Sequence, residues 1–180
     1  MDRGRLTANQ WLYGIAYLSL SLAIILMHIL PTDLGPRGYP GPDLLLCITC
    51  AWVLRRPHYV PTLLIAAVFL LTDILYMRPP GLWTGLVVLS VEYLRAREGA
   101  LREQPLMVEI GVVAAVMAFI NLSNFLVLLI LGVPQAQFGL MLLQLIATVI
   151  TYPIIVIVAR VLFRVQKMSS AEFDAVRRAQ

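Results

Sequence analysis

The chain alternates long apolar runs with short polar connections. A helix needs roughly 20 residues to cross a bilayer core of about 30 Å, and four of the five clear apolar runs approach or exceed that length. A sixth run, Leu44–Leu54, would extend only about 17 Å as a helix, so on length alone it could be re-entrant or half-buried. The five clear runs are Trp11–Leu30, Tyr59–Met77, Gly81–Leu94, Leu106–Leu131 and Phe138–Phe163.

Composition places the chain among integral membrane proteins. Hydrophobic residues make up 60% of it, charged residues only 13%, and the mean hydropathy is +0.84. Soluble domains carry about 25% charged residues. We therefore expect one polytopic membrane domain over residues 1–165 and a short basic cytoplasmic tail over 166–180. The net charge of +4 comes from basic residues in short connections, so we expect no nucleic-acid partner.

The distribution of basic residues predicts the orientation of the helices. Six spans with a cytoplasmic N-terminus place twelve of the fourteen basic residues on the cytoplasmic side, against eleven for five spans. Cytoplasmic loops are enriched in Lys and Arg, so we favour six spans with both termini cytoplasmic. The first run follows Arg3 and Arg5 and lacks a small-residue cleavage site after it, so we expect a retained span.

Asp73 is a carboxylate inside an apolar run, close to the outer end of its predicted span. A charge at a helix centre costs about 2.5–3.5 kcal/mol on insertion scales, and less near the interface. In a structural interpretation, Asp73 lies near Arg78 and is stabilised by the Thr84 hydroxyl or the Trp83 indole. In a functional interpretation, it anchors a partner helix or lines a ligand cavity.

Small residues recur at helical spacing in two of the runs. Gly81 and Gly85 form a GxxxG pattern, and Gly111 with Ala115 repeats the small-xxx-small spacing in the fifth span. Small side chains at this spacing let two membrane helices approach closely. We therefore treat these four residues as candidates for helix packing, either within the chain or with a partner.

Polar residues form a stripe on the last two predicted spans. Asn121 and Asn124 lie on the fifth, while Gln144 and Thr148 lie at a similar depth on the sixth. Hydrogen bonds across this hairpin would stabilise it by roughly 0.6 kcal/mol each. A polar ligand cavity is the alternative interpretation.

Two glutamates lie near the cytoplasmic ends of their predicted spans. Glu92 can pair with Arg95 three residues later. Glu109 follows Pro105 in the first turns of its helix, where the helix dipole favours an anion. We expect both to be structural.

The remaining candidate groups give no positive sign of catalysis. Cys47 and Cys50 form a C-x-x-C pattern inside an apolar run, where packing is the favoured role because zinc would need two further ligands. His28 and His58 fall on opposite sides of the membrane in the six-span topology. Ser-His-Asp, H-E-x-x-H and P-loop motifs are not recognisable, so we expect no enzyme, cofactor or metal site.

The order of these features resembles the MreD family, the polytopic rod shape-determining proteins of the bacterial cell-elongation machinery. One block is "GPDLLLCITCAWVLRRPHYV", and a second is "FLLTDILYMRPPGLWTG", in which Asp73 precedes Gly81 after a turn. Pro153 in a last span that leads to a basic tail is the third point. The turn "RPP" departs from the family, whose members often have a small residue there.

The resemblance implies a non-enzymatic scaffold in the bacterial inner membrane, surrounded by membrane lipid. The implied partners are MreC, the RodA glycosyltransferase with its class B transpeptidase, and indirectly MreB. The implied fold is similar to the six-helix substrate-binding (S) components of energy-coupling-factor transporters. Candidate partner surfaces are the hairpin from Asp73 to Gly85, which includes Arg78, and the small-residue face of the fifth span.

Two other functions stay open at this point. One is a substrate-binding membrane subunit of an energy-coupling-factor-type transporter, with its cavity lined by Asn121, Asn124, Gln144 and Thr148. The other is a small intramembrane enzyme, although no set of acid, base and nucleophile can be assembled from the sequence.

Overall fold

The structure is a computed structural model that describes residues 3–30, 41–55, 60–102, 104–134 and 137–163. Within these ranges the chain is helical and contains no strands, which confirms the all-α class. The helices are α1 (Arg3–Ile29), α2 (Leu44–Arg55), α3 (Thr62–Leu75), α4 (Leu82–Arg102), α5 (Leu106–Ile130) and α6 (Phe138–Phe163). The predicted tail, residues 166–180, lies outside the described residues.

Three of these helices, α1, α5 and α6, are long and apolar enough to cross a membrane. Their 27, 25 and 26 residues correspond to about 37–40 Å at the rise of an α-helix. The predicted runs match α5 within one residue and α6 at both ends. This length and apolar character mark the chain as a membrane protein.

The other three helices differ from the long ones in length or in charge. At 12 and 14 residues, α2 and α3 extend only about 18 and 21 Å. α4 extends beyond the fourth apolar run, from Leu94 to Arg102. The added segment "RAREGALR" is rich in Ala, Arg, Glu and Leu, which favour helix without being apolar.

The shortest helix, α2, forms the centre of the bundle. Every residue from Leu45 to Arg55 is buried, and α2 packs against α1, α4 and α6. A helix that is apolar on all sides favours such a position. The Trp52 ring meets Tyr17 of α1 edge-on at 6.0 Å, and the Tyr17 and Thr49 hydroxyls are 2.9 Å apart. Residues 45–55 of α2 are thus surrounded by the rest of the protein.

The remaining helices surround α2 as neighbouring pairs. α3 packs on α4, α4 on α5, and α5 on α6, while α1 packs more sparsely on α2 and α3. We call the end with the α3–α4 and α5–α6 connections the hairpin end, and the end with Arg55 and the α4–α5 connection the arginine end.

Candidate functional site

The Asp73 carboxylate of α3 accepts hydrogen bonds from the start of α4 and so stabilises the hairpin between the two helices. Its side chain is fully buried, and Oδ2 accepts hydrogen bonds from the Gly81 N–H at 3.0 Å and the Thr84 N–H at 3.2 Å. The Thr84 hydroxyl donates to the same oxygen at 2.7 Å. Asp73 therefore caps the start of α4 from the neighbouring helix, as the structural interpretation with Thr84 suggested.

The glycines of the hairpin do not serve close helix packing within the chain. Gly81 has a φ of +90°, and neither at Gly81 nor at Gly85 would an added Cβ meet a heavy atom within 4 Å. Positive φ favours glycine, so the backbone conformation explains Gly81. Gly111 is equally open, and Ala115 is exposed. The expected close approach inside the chain is absent at these three glycines.

Arg78 lies near Asp73, as predicted, but its guanidinium forms no ion pair with the Asp73 carboxylate. Its backbone N–H bonds the Asp73 carbonyl at 2.9 Å, while its guanidinium lies over two rings, 5.4 Å from the Tyr76 centroid and 5.0 Å from that of Trp83. Cation–π contacts of this kind stabilise a cation without neutralising it. The guanidinium is therefore available to the cavity beside it.

This hairpin-end cavity has a volume of about 210 Å³ and is bounded by α1, the start of α2, the α3–α4 hairpin and α6. The His28 ring of α1 stacks on Tyr76 with centroids 4.8 Å apart. Phe69, Leu44 and Ile24 provide apolar walls. Its polar lining residues are His28, Asp43, Thr72, Tyr76, Arg78 and Gln144.

Asp43 closes the cavity at the start of α2 and connects that helix to α6. Its Oδ1 accepts the Leu46 N–H at 2.9 Å, which is a helix N-cap. Its own N–H donates to Thr148 Oγ1 at 3.0 Å. Sequence reasoning missed Asp43, even though an Asp directly before an apolar run is an N-cap signal.

The predicted polar stripe is not one site. The Asn121 amide donates to Met117 O of its own helix at 2.9 Å. Thr148 donates to Gln144 O at 2.7 Å while accepting from the start of α2. Of the four predicted stripe residues, only Gln144 lines the hairpin-end cavity, and Asn124 is half-buried elsewhere on α5.

A buried ion pair joins three helices toward the arginine end. Arg55 Nη2 of α2 lies 2.7 Å from Glu109 Oε1 of α5, with both side chains at most 1% exposed. The Tyr152 hydroxyl of α6 donates to the same oxygen at 2.8 Å. Arg55 is one of the twelve basic residues that were predicted on the cytoplasmic side, so its burial beside Glu109 was not expected. No local pattern marks the pair, because the two residues are 54 positions apart.

Glu92 forms the interaction expected from its spacing. Its Oε1 lies 3.6 Å from Arg95 Nε at the i,i+3 position, which confirms that predicted pair. The Thr62 hydroxyl of α3 also donates to it at 2.6 Å. The Glu92 side chain is still 53% exposed, so this carboxylate lies at the surface of the bundle.

A second, apolar concavity runs between α4 and α5, and we call it the α4–α5 groove. It has a volume of about 560 Å³. Ser90 is 4% exposed, and its Oγ has no hydrogen-bond partner among the described residues. Ala115, a predicted packing residue, lies in the groove. The lining residues are Leu89, Ser90, Glu92, Tyr93, Val112, Ala115, Val116 and Phe119.

The other side chains that could bind a metal or act as nucleophiles pack within the bundle instead. In the part of the chain that the structure describes, no group of three or more His, Cys, Asp or Glu residues is placed to hold a metal ion. Cys47 and Cys50 are buried free thiols in α2, and the Cys47 thiol donates to Thr148 O at 3.3 Å.

Comparison with protein family models, with curated proteins and with solved structures finds no match to this chain.

Proposed function

We propose that the chain is a non-enzymatic membrane scaffold of the MreD type in the bacterial inner membrane. In this proposal six helices cross the membrane in a fold similar to energy-coupling-factor S components, with both termini cytoplasmic. The scaffold holds MreC, and through it the RodA glycosyltransferase with its class B transpeptidase, opposite cytoplasmic MreB. The chain thereby controls cell shape and lateral peptidoglycan synthesis.

The observation that carries the proposal is the α4–α5 groove. Its walls are mostly apolar, and it lies between two adjacent helices on the side of the bundle. Membrane helices associate through van der Waals packing at surfaces that include small residues. These features favour a partner transmembrane helix as the occupant of the groove.

The small residues of α5 fit the same occupant. Ala115 lines the groove, and Gly111 lies one helical turn away with open space around it. Small side chains permit the close backbone approach that drives helix association in lipid. The packing role that Gly111 lacks within the chain is therefore assigned to the contact with a partner.

Charge at one end of the groove indicates how that helix is oriented. The half-exposed Glu92 carboxylate lies there. Membrane helices carry Lys and Arg just beyond their cytoplasmic ends. We therefore expect a basic residue of the MreC span opposite Glu92, on the cytoplasmic side of the membrane.

The engagement of the buried carboxylates supports a structural role over a catalytic one. Asp73 accepts three hydrogen bonds through one oxygen, and Glu109 binds Arg55 and Tyr152. Groups fixed in this way hold helices together. Asp73 is thus part of the scaffold's architecture.

The experiment is a pull-down of the C-terminally tagged chain from native membranes in mild detergent, with co-purifying proteins identified by mass spectrometry. We expect an MreC-like protein and a RodA-like synthase. Ala115→Leu fills the groove and should reduce recovery of the MreC-like protein about tenfold or more, because one lost close contact of ~1.4 kcal/mol is tenfold in affinity.

The matched control is Ala67→Leu, an equal change at an exposed position of α3 away from the groove. It should leave recovery unchanged. Equal recovery with Ala115→Leu would contradict the groove as the docking site. Absence of both MreC-like and RodA-like proteins from the wild-type sample would contradict the scaffold itself.

The second candidate function is a substrate-binding subunit of an energy-coupling-factor-type transporter. The hairpin-end cavity favours it, because Arg78 and Gln144 line a polar concavity there. This function predicts that the same pull-down recovers an energy-coupling transmembrane subunit and ATPases. Its cavity would differ from the expected one, since Asn121, Asn124 and Thr148 do not line it.

A further inference from the structure

The hairpin-end cavity is recessed into the bundle. Asp43 at the start of α2 bonds Thr148, ten residues after the first residue of α6. The start of α2 therefore lies about 15 Å along α6 from its first residue. A group bound beside Asp43 would lie below the first residues of α6 and beside the last turn of α1, between α1, α2, α6 and the hairpin.

The lining of the cavity includes Arg78, a cation that forms no ion pair with a described carboxylate. The Arg78 guanidinium is held by the rings of Tyr76 and Trp83, and no described carboxylate lies within ion-pair distance of it. A guanidinium has five N–H donors arranged to bind carboxylate or phosphate oxygens. His28 also lines the cavity, and its ring contacts Tyr76, the same ring that Arg78 lies over.

The lining of the cavity also includes an acid. Asp43 lines the cavity, and capping of α2 uses the Leu46 N–H, while a carboxylate can accept about four hydrogen bonds. A purely anionic ligand would be repelled by Asp43, and a purely cationic one by Arg78. The positive Arg78 and the negative Asp43 together therefore complement a zwitterionic ligand, which carries one charge of each sign.

The size of the cavity and its surroundings restrict that ligand further. A volume of about 210 Å³ is smaller than the roughly 300–1,000 Å³ of sites for drug-sized molecules, so it suits a headgroup. Met27 of α1 lines the cavity and is 74% exposed, and Leu26 beside it is 54% exposed. Acyl chains could lie along this apolar face while the headgroup enters the cavity.

We propose that the hairpin-end cavity binds a zwitterionic phosphate–amine group, with its phosphate on Arg78 and His28 and its amine on Asp43. This chemistry occurs in the headgroup of phosphatidylethanolamine and in free ethanolamine phosphate. Gln144 supplies a neutral amide at the same site. The proposal is independent of the α4–α5 groove and of the scaffold function.

The test is native mass spectrometry of the delipidated full chain, titrated with phosphatidylethanolamine and with phosphatidylglycerol, which has the phosphate but lacks the amine. We expect one tightly bound phosphatidylethanolamine and at least tenfold weaker phosphatidylglycerol. Arg78→Gln should weaken phosphatidylethanolamine binding by about tenfold or more, since hydrogen bonds to charged groups are strong. Asp43→Asn, which retains a capping side chain, should abolish the preference between the two lipids.

The matched control is Arg97→Gln. Arg97 also stacks on a tyrosine, 5.0 Å from the Tyr93 centroid, but it does not line the cavity. Binding should be unchanged in this variant. Gel filtration and helix content by circular dichroism verify that each variant is folded, and Arg78→Lys should retain part of the affinity because it keeps the charge.

A competition arm distinguishes the two sources of the ligand. Free ethanolamine phosphate that binds at the cavity and displaces the lipid would support a water-soluble ligand, whereas binding of the lipid alone would support a membrane lipid. Equal binding of the two lipids by the wild type would overturn the proposal. Undiminished binding by folded Arg78→Gln would overturn it as well.

Discussion

Among single residues, the buried polar groups mainly form hydrogen bonds that hold neighbouring helices together. Asp73 joins α3 to the start of α4 through Oδ2, while its Oδ1 is buried without a partner among the described residues. A carboxylate inside an apolar run need not be an acid or a base. Its contacts decide its role, and here the contacts are backbone N–H groups and one hydroxyl.

The first prediction concerns Asp73. Asp73→Ala leaves the Gly81 and Thr84 donors without their acceptor, so we expect the free energy of unfolding to fall by roughly 2–4 kcal/mol. Asp73→Asn retains one acceptor oxygen and should cost about 1 kcal/mol. The measurement is reversible unfolding in mixed micelles. Wild-type stability in Asp73→Ala would show that these hydrogen bonds contribute nothing net.

The second prediction separates the two roles proposed for the GxxxG pattern. Gly81→Ala places a Cβ at φ +90°, which should cost about 1–3 kcal/mol of stability. Gly85→Ala lies in helix with open space around it, so it should be neutral or stabilise by about 0.5–1 kcal/mol. Thermal melting of both variants in detergent provides the comparison. A reversed order would restore close packing within the chain as the reason for the pattern.

At the scale of helices, the short apolar helix α2 is the element on which the others converge. It reaches α6 through Asp43 and Cys47, α1 through Thr49, and α5 through Arg55. Moving two charges out of water costs free energy, so a buried ion pair adds little net stability to the folded protein. Removing only one partner is strongly destabilising, because the other charge stays buried and unpaired. The Arg55–Glu109 pair is therefore best understood as fixing which helices meet.

The third prediction is a double-mutant cycle on that pair. Arg55→Met leaves Glu109 as a buried charge and should cost about 3–5 kcal/mol. Glu109→Gln should be similarly harmful, whereas the double variant should cost less than the sum of the two. Unfolding in mixed micelles measures all three variants.

The exposed Glu92–Arg95 pair is the control for this cycle, since its side chains are 53% and 21% exposed. Glu92→Gln should change stability by no more than about 1 kcal/mol. Strict additivity of the Arg55 and Glu109 changes would mean that the two side chains do not interact in the folded protein.

At the scale of the whole molecule, the described structure has a polar cavity near one end of the bundle and an apolar groove on its side. The cavity lies between four elements of the bundle, whereas the groove lies between two adjacent helices. A membrane protein with both can contact a partner laterally while one end binds a small polar group. The two concavities can therefore be tested separately.

The fourth prediction is the topology. With six spans, tags at the N- and C-termini lie on the same side of the membrane, whereas five spans would place them on opposite sides. Met77→Cys, at a position 94% exposed in the hairpin, should react with a maleimide from the other side. The native Cys47 and Cys50 are buried, so they add little background. Protease protection of the two tags gives the answer, and tags on opposite sides would exclude six spans.

The class of the protein and the approximate positions of its helices follow from local sequence patterns alone. Apolar runs and their breaks are local features, so α6 and the start of α5 could be predicted to the residue. The Glu92–Arg95 pair was equally predictable, because i,i+3 neighbours meet on any helix. The extension of α4 to Arg102 was missed because charged helix formers resemble a loop in a membrane protein.

Which helices meet, and what lies between them, depends on how the whole bundle packs. A helix that is apolar on all sides has no distinct packing face, so the sequence could not place α2 at the centre or join Arg55 to Glu109. The cavity of Arg78, Asp43 and Gln144 combines residues from three distant segments. Such a site depends on the free energy of packing the whole bundle, which no single stretch of sequence specifies.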